Sequence, residues 1–210
     1  MKYLYQLHRG ILPDYSTLPF YHYQCVFIHV PKTGGVSVAK GLFKNLGGGH
    51  RKALEYKEIL GAANFKNFFK FGFTRHPVDR LYSAYIFLKN GGYDSTDKSW
   101  FDEHLAQFPT FSDFVYNWLN EDNIWRKNHF YPQFYFLCDE NNELIVDFVG
   151  KYEQLEKDFT FIRKRLGTGK QLPHLNQTSN KLQLSVDLST EIIARICKVY
   201  HTDFKLFHYK

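Results

Sequence analysis

A lysine, two hydroxyl residues and two glycines stand together at the end of a short apolar segment, in the run FIHVPKTGGVS of residues 27–37. Glycines let a ligand approach the backbone closely, and a turn from a strand into a helix directs several N–H groups to one point. Lys32 adds a mobile positive charge, and Thr33 and Ser37 add hydroxyl donors. This pattern predicts a binding site for a phosphate or sulfate group. The alternative is a tight strand-to-helix turn that carries an exposed lysine.

A second group of polar residues follows in the run FGFTRHPVDRLYSAY of residues 71–85. Arg75 is expected at the end of a strand and Ser83 nearly two turns into the next helix, so the two side chains could meet a second phosphate from different sides. Arginines at strand ends also pair with acidic residues, and the segment alone leaves that alternative open.

Neither segment has the spacing of a nucleoside-triphosphate loop. In the pattern GxxxxGK[ST] the lysine follows the glycines, whereas Lys32 precedes Gly34 and Gly35. The order of these residues disfavours an ATPase or a GTPase. The sequence also has no HExxH, no CxxC pair and no clustered Asp, Glu and His, so we predict no metal site.

The elements that must position these residues alternate between strands and helices. Short apolar runs predict strands, and apolar residues at helical spacing follow each of them. The strands are predicted at 24–30, 69–74 and 144–149, and the helices at 36–46, after Pro77, at 113–120 with Ser112 as its cap, at 153–166, and from about 190 to 200 with Ser189 as its cap. Loops are predicted at 91–100 and 168–187. The alternation predicts an α/β fold with a mostly parallel central sheet flanked by helices, which binds ligands at the carboxyl ends of its strands.

The composition describes an ordinary globular chain. Its 44% hydrophobic and 23% charged residues exclude intrinsic disorder, and its longest apolar runs fall far short of the roughly 18 residues of a membrane span. Residues 1–10 lack the apolar region of a secretory signal, so we expect a cytoplasmic protein with Cys25, Cys138 and Cys197 as reduced thiols in or near the core. The net charge of +6 fits an anionic partner such as nucleic acid, an anionic glycan or a nucleotide, and equally a solvated basic surface.

Taken together, the two polar segments resemble the paired cofactor motifs of the carbohydrate sulfotransferase family (sulfotransferase family 2-like). The motifs are P-K-T-G-G-x-S and R-x-P-x-D-R-x-x-S-x-Y, and they begin at Pro31 and Arg75. Weaker blocks are also similar: H-x-x-P-Q at 129–133, V-D-F-V-G-K-Y-E-Q-L at 146–155, L-P-H-x-N at 172–176 and Y-x-x-D-F at 200–204. The resemblance covers about residues 24 to 209. His76 departs from it, because the family more often has Asn before the proline, and the membrane anchor of eukaryotic relatives is not seen.

This resemblance implies a P-loop-containing sulfotransferase-like fold. It also implies metal-free, in-line transfer of a sulfuryl group from 3′-phosphoadenylyl sulfate (PAPS) to a hydroxyl or amine of a glycan or small-molecule acceptor, with release of 3′-phosphoadenosine 5′-phosphate (PAP). The residues implied to hold the 5′-phosphosulfate are Pro31, Lys32, Thr33, Gly34, Gly35, Val36 and Ser37. Arg75 and Ser83 are implied to hold the 3′-phosphate. Tyr152 is predicted near the adenine, or else at the start of an amphipathic helix, and the loop around Asn176 and Thr178 is predicted to close over the nucleotide.

The catalytic side chains are predicted to be Lys32, which would neutralise the leaving group, and a histidine that acts as general base. His50 is the first choice for the base because it follows the helix after the phosphate loop, where related enzymes often have a catalytic His or Glu. His129 is the second choice and Glu55 a remote third. His29, which lies in a predicted strand, is expected to be structural.

We expect one sulfotransferase domain over residues 1–210. It divides into an N-terminal extension at 1–23, a cofactor-binding core at 24–90, an acceptor-binding insertion at 91–140 and a part that completes the core at 141–210. Two other functions stay open: a P-loop kinase or NTPase, which would lose activity on chelation, and a non-catalytic module that binds an anionic ligand and loses affinity with salt. Of the partner classes, we expect an acceptor molecule and neither nucleic acid nor a membrane span; the acceptor and the oligomeric state are not predicted.

Overall fold

The computed structural model describes residues 15–168, 171–173 and 188–210. Its three strands form a parallel sheet in the order β1-β2-β3. They are β1 at Cys25–Ile28, β2 at Phe69–Thr74 and β3 at Phe148–Lys151. In the register, Phe71 of β2 lies between Phe27 of β1 and Phe148 of β3. The parallel pairing and the flanking helices confirm the predicted α/β class.

Short helices connect and flank these strands in the described part of the chain. They are α1 at Leu18–Tyr23, α2 at Gly35–Phe43, α3 at Ala53–Leu60, α4 at Ala62–Asn67, α5 at Pro77–Lys89, α6 at Ser95–His104, α7 at Phe111–Asn117, α8 at Phe134–Leu137, α9 at Leu155–Arg165, α10 at Thr190–Val199 and α11 at His201–Leu206. Single 3₁₀ turns lie at Asn123–Arg126 and Tyr152–Gln154.

The described residues cluster into two compact units. The sheet unit comprises those of Met1–Thr74 and Tyr135–Ser179, and the helical unit comprises those of Arg75–Phe134 and Asn180–Lys210. These boundaries differ from the predicted segments 24–90 and 91–140, and the description of the chain as one domain stays a prediction.

Each unit has its own aromatic core. In the sheet unit, Phe27 stacks on Phe71 across β1 and β2, with ring centroids 5.3 Å apart. In the helical unit, the ring of Phe114 lies 5.1 Å from that of Tyr85 and 5.4 Å from that of Phe130, and all three side chains are buried. Buried aromatic rings remove large apolar areas from water, so these clusters are a main source of stability in both units.

Two predicted elements are wrong in detail. The strand predicted at 144–149 begins only at Phe148, because Leu144 forms an antiparallel bridge with Cys138 and the N–H of Ile145 bonds to the carbonyl of Leu137. The loop predicted at 91–100 contains the start of α6, which the side chain of Asp94 caps by accepting two backbone N–H bonds.

Helix caps were predicted with mixed success. Thr110, not Ser112, caps α7, where its side chain bonds to the N–H of Asp113 in a capping box. Ser189 caps α10 as predicted, because its side chain accepts the N–H of Ile192.

The cysteines are free thiols. Cys25 and Cys138 are buried and Cys197 is half-buried, which agrees with the predicted positions in or near the core. Burial raises the pKa of Cys25 to about 12, so this thiol stays protonated at neutral pH. Across the described residues, no helix is both long and apolar enough to cross a membrane.

Candidate functional site

The predicted phosphate loop connects β1 to α2 through a strained backbone turn. Lys32 has φ +69° and Gly34 has φ +79°, so both adopt the left-handed conformation that only glycine enters without cost. A left-handed residue next to a right-handed one makes the backbone concave, so that its N–H groups can face an anion. In addition, the first N–H groups of a helix have no partner within the helix. The turn therefore has the form of an anion-binding loop.

Thr33 contributes to the loop in a different way from its prediction. Its side chain is buried, and the hydroxyl donates to the carbonyl of Val30 at 2.9 Å. This bond closes the turn and uses the only proton of the hydroxyl. What Thr33 can offer a phosphate is therefore its backbone N–H. Ser37 lies in the first turn of α2, where its own N–H bonds to the carbonyl of Gly34.

Gly35 is required at its position by the packing of His29. A Cβ atom added at Gly35 would overlap the Cδ2 and Nε2 atoms of the buried His29 ring. The imidazole therefore lies directly against the loop backbone. Burial lowers the pKa of His29, the charge of His50 lowers it further, and a backbone hydrogen bond at Leu46 opposes the shift. His29 is thus neutral at physiological pH.

His50 lies beside His29. The two ring centroids are 4.2 Å apart, and Nδ1 of the exposed His50 lies 2.8 Å from the backbone carbonyl of His29. A carbonyl only accepts hydrogen bonds, so Nδ1 of His50 carries the proton. In the neutral ring, Nε2 then holds the lone pair, which is the form that a general base needs. The structure thus joins His50 to the phosphate loop through His29.

Tyr152 also lies against the loop. A Cβ atom added at Gly34 would meet the Tyr152 ring at 3.2 Å and Leu155 at 3.0 Å. The Tyr152 side chain is 38% exposed, so one part of the ring contacts the loop and another part is open to solvent. The ring predicted near the adenine is therefore adjacent to the predicted phosphate loop.

The second motif begins at Arg75, the residue after the last residue of β2. The side-chain amide of Gln133 holds its backbone at two points: Oε1 accepts the Arg75 N–H at 2.8 Å, and Nε2 donates to the Arg75 carbonyl at 2.9 Å. Ser83, the other predicted ligand of the 3′-phosphate, is half-buried on α5. His76 stands at the N-cap position of α5 without a side-chain capping bond. Its Nε2 lies 3.0 Å from the Lys210 carbonyl, so the residue that departs from the family pattern bonds to the end of the chain.

A buried polar network supports this segment. Asp203 accepts the N–H groups of Gln133 and Phe134 at 2.8 and 2.9 Å, and Arg80 donates to the carbonyls of His129 and Tyr131. Burial raises the pKa of Asp203, and the Arg80 charge and the N–H donors oppose the rise. Burial lowers the pKa of Arg80, with Asp203 among the groups that oppose it. The network joins Arg80 to two of the weaker sequence blocks.

His129 occupies a less accessible place than His50. Its side chain is buried in the helical unit, 5.1 Å from the ring of Phe87, and its positive form would help lower the pKa of Asp97. Of the aromatic residues in the predicted acceptor insertion, Phe130 is fully buried and belongs to the core, whereas Trp125 is exposed and packs on Tyr131 with centroids 5.4 Å apart.

A separate cavity of about 440 Å³ lies at the amino-terminal edge of β1 and β2. Lys66, Lys70 and Arg165 line it, but Lys70 is already bonded to Asp147 and to the carbonyl of Phe68, both at 2.8 Å. The phosphate loop follows the opposite, carboxyl-terminal edge of β1. This cavity is therefore separate from the predicted phosphate loop.

Two of the predicted residues, Asn176 and Thr178, lie outside the described part of the chain. Within the described part, no three His, Cys, Asp or Glu side chains are grouped as a metal site would require. Sequence reasoning gave no role to Gln133 and Asp203 and treated His29 only as structural. The sequence blocks at 129–133 and 200–204 were the available signal for the first two, but their contact is visible only in the folded chain.

Comparison with known proteins gives one match over most of the chain. A family model described as "Sulfotransferase family" matches residues 20–210. Carbohydrate sulfotransferase 14 of Danio rerio is 30% identical over 116 residues, which cover 49% of this chain and 31% of that protein. An uncharacterized protein of Archaeoglobus fulgidus is 29% identical over 113 residues, which cover 54% of this chain and 79% of that protein. The match thus spans about a third of the length of the first relative. No solved structure matches the chain significantly.

Proposed function

This chain belongs to the sulfotransferase family, and from that membership we propose that it transfers a sulfuryl group from PAPS to a hydroxyl or amine of a glycan or small-molecule acceptor. The proposal of a glycan draws on the name of the Danio rerio relative, carbohydrate sulfotransferase 14. The proposal of PAPS rests on the sequence motifs and on the form of the phosphate loop.

The loop residues fit a phosphosulfate group. The left-handed conformations of Lys32 and Gly34 and the amino terminus of α2 favour an anion, and the absence of a Cβ at Gly35 lets the loop lie on His29. In the proposed complex, the loop from Pro31 to Ser37 holds the 5′-phosphosulfate. Arg75 and Ser83 hold the 3′-phosphate, and Tyr152 lies near the adenine.

When bound, PAPS supplies the sulfuryl group, whose sulfur forms a bond to the acceptor oxygen or nitrogen as its bond to the bridging phosphate oxygen breaks and PAP leaves. Lys32 stabilises the negative charge that develops on the bridging oxygen. Nε2 of His50 accepts the proton that the acceptor group loses. Lys32 therefore acts on the leaving group, and His50 acts on the acceptor.

The observation that carries the proposal is the orientation of His50. Its Nδ1–H bond to the His29 carbonyl, at 2.8 Å, leaves Nε2 as the acceptor atom of an exposed ring, and the same His29 lies against Gly35 of the loop. His129, the alternative base, is only 9% exposed. The geometry therefore supports His50 over His129.

The proposal is tested first by nucleotide binding without metal. Calorimetry compares PAP, AMP and ATP with the unmodified chain and with Lys32→Ala, Arg75→Ala and the control Lys40→Ala, an exposed lysine on α2. We expect PAP to bind more tightly than AMP or ATP. Lys32→Ala weakens binding of both PAP and AMP, Arg75→Ala removes the preference for PAP, and Lys40→Ala leaves both unchanged.

Other outcomes identify other functions. Tighter binding of ATP in the presence of Mg²⁺ would contradict the proposal and favour a kinase or NTPase. PAP binding with no transfer from radiolabelled PAPS to any of a broad panel of glycans and small hydroxylated or amino compounds would favour a binding module. Transfer to a panel member both tests the activity and identifies the acceptor class.

A further inference from the structure

We infer that Gln133 is a positioning residue that holds Arg75 in the orientation in which it binds the 3′-phosphate of the nucleotide. The inference rests on the proposed function, because it takes Arg75 as the ligand of that phosphate. It assigns a role to a residue that is expected to touch neither donor nor acceptor.

Both polar atoms of the Gln133 side chain bond to the backbone of Arg75, and the side chain also hydrogen-bonds the buried carboxylate of Asp203. Oε1 accepts the N–H of Arg75 at 2.8 Å and Nε2 donates to its carbonyl at 2.9 Å, so the two partners also fix which end of the amide is which. Gln133 has no exposed surface. Burying an amide is costly unless it is hydrogen-bonded, and an apolar residue would fill the same space without that cost. The amide is therefore best explained by what it does to Arg75.

The clamp is itself anchored. The backbone N–H of Gln133 and that of Phe134 bond to the two carboxylate oxygens of Asp203, at 2.8 and 2.9 Å, and Asp203 is fully buried. The amide of Gln133 thus projects from a fixed backbone. This rigid support matters because Gln133 can hold Arg75 in one orientation only if its own backbone does not move.

The clamp acts on Arg75 at the point where the backbone leaves β2 and approaches α5. Fixing the N–H and the carbonyl of Arg75 fixes the direction in which its side chain leaves the backbone. An arginine whose backbone is held in place before the nucleotide arrives has less conformational freedom to lose on binding. The gain in affinity concerns only the 3′-phosphate. It should therefore increase the preference for PAP over AMP, because AMP lacks that phosphate.

The test compares the ratio of the AMP and PAP dissociation constants in Gln133→Met, which keeps the shape of the side chain and removes both hydrogen bonds. We expect this ratio to fall about tenfold with AMP affinity unchanged, because an Arg75 that is not held in place loses more conformational freedom when it binds the 3′-phosphate. The matched control is Tyr200→Phe, which removes the buried bond from the Tyr200 hydroxyl to the Phe130 carbonyl. It should lower stability and leave the ratio unchanged, because a merely structural defect does not distinguish the two nucleotides.

A second variant keeps the test decisive if Gln133→Met does not fold. Gln133→Asn keeps an uncharged amide but is one methylene shorter, so it cannot reach both backbone groups of Arg75, and we expect a smaller fall in the ratio. In the Arg75→Ala background, neither variant should change the ratio further. A folded Gln133 variant that keeps the full preference for PAP would overturn the inference alone. Equal binding of PAP and AMP by the unmodified chain would overturn the proposed function, and the inference with it.

Discussion

Two neighbouring histidines in the sheet unit have opposite environments, and this difference separates their roles. His29 is 4% exposed and burial holds its pKa below the ordinary value, whereas His50 is exposed and bonds through Nδ1 to the His29 carbonyl. A neutral ring under the loop adds no charge of its own, so it does not compete with Lys32 for the anion. The exposed His50 ring is the better placed of the two for proton transfer.

The role of His50 is tested by His50→Asn. The asparagine amide can still donate to the His29 carbonyl, but it cannot take a proton from the acceptor. We expect transfer from radiolabelled PAPS to fall by about 10²–10⁴-fold, with the PAP dissociation constant unchanged. His22→Asn, at an exposed histidine of α1, is the control and should retain full activity. Normal sulfuryl transfer by His50→Asn would show that another residue is the general base, and His129 would then be the next residue to replace.

The buried His29 makes stability depend on pH in a defined direction. Its pKa in the folded chain lies well below 6.5, so between the two pKa values the unfolded chain binds more protons than the folded one. Stability is therefore fully present above the unfolded pKa of about 6.5 and falls as the pH drops below it, by up to about 1.4 kcal/mol per pH unit. Urea unfolding from pH 7.5 to 5 measures this slope, and His29→Gln should have a shallower one. Equal slopes in the two proteins would contradict a neutral, buried His29.

At the scale of elements, the sequence predicted best where an apolar run ends at a chain-turning residue. The β2 strand has the predicted bounds of 69–74, because its apolar run meets Arg75 and Pro77 at the carboxyl end. The β3 strand was displaced because residues 144–146 are just as apolar, but Leu144 forms a bridge with Cys138 and the Ile145 N–H bonds to the Leu137 carbonyl. Periodicity cannot tell which of two adjacent apolar stretches will join a sheet, because that choice depends on partners far along the chain.

The contact between β1 and α2 gives a prediction at the same scale. Gly35→Ala places a methyl group in the space of the His29 ring, and overpacking of this kind costs about 1–3 kcal/mol of the free energy of unfolding. In the His29→Ala background, where the ring is absent, the same substitution should cost less. Chemical denaturation of the four proteins gives the coupling free energy.

Gly61 provides the control for this cycle. It has φ +80° and no atom within 4 Å of an added Cβ, so Gly61→Ala carries backbone strain without a steric overlap. Its cost should be the same with and without the His29 ring. If Gly35→Ala also costs the same in both backgrounds, the ring does not determine the glycine at this position.

For the molecule as a whole, the sequence predicted the fold class and the turn from β1 into α2, but not the support of Arg75. The loop lies within eleven consecutive residues, so its glycines, lysine and hydroxyls can be recognised together. The clamp joins Arg75, Gln133 and Asp203, which are separated by 58 and 70 positions in the chain. Each is an ordinary polar residue in its own segment. Only the folded chain brings them into contact, which is why local patterns assigned them no common role.

The same long-range network should also contribute to the stability of the helical unit. Arg80 is 1% exposed and donates to the carbonyls of His129 and Tyr131, about fifty positions away in the chain. Arg80→Met leaves both carbonyls without this donor and leaves Asp203 without a nearby positive charge, so we expect a loss of about 3 kcal/mol in the free energy of unfolding.

Tryptophan fluorescence suits the measurement of this loss, because Trp100, Trp118 and Trp125 all belong to the helical unit. Urea unfolding followed by this signal should show a lower midpoint for Arg80→Met. Arg126→Met, at an exposed arginine of the same unit, should change the free energy by less than about 0.5 kcal/mol. Similar midpoints for both variants would mean that the packing of the aromatic core holds these segments together without the buried guanidinium. A selective loss for Arg80→Met would show that the polar network and the core stabilise the unit jointly.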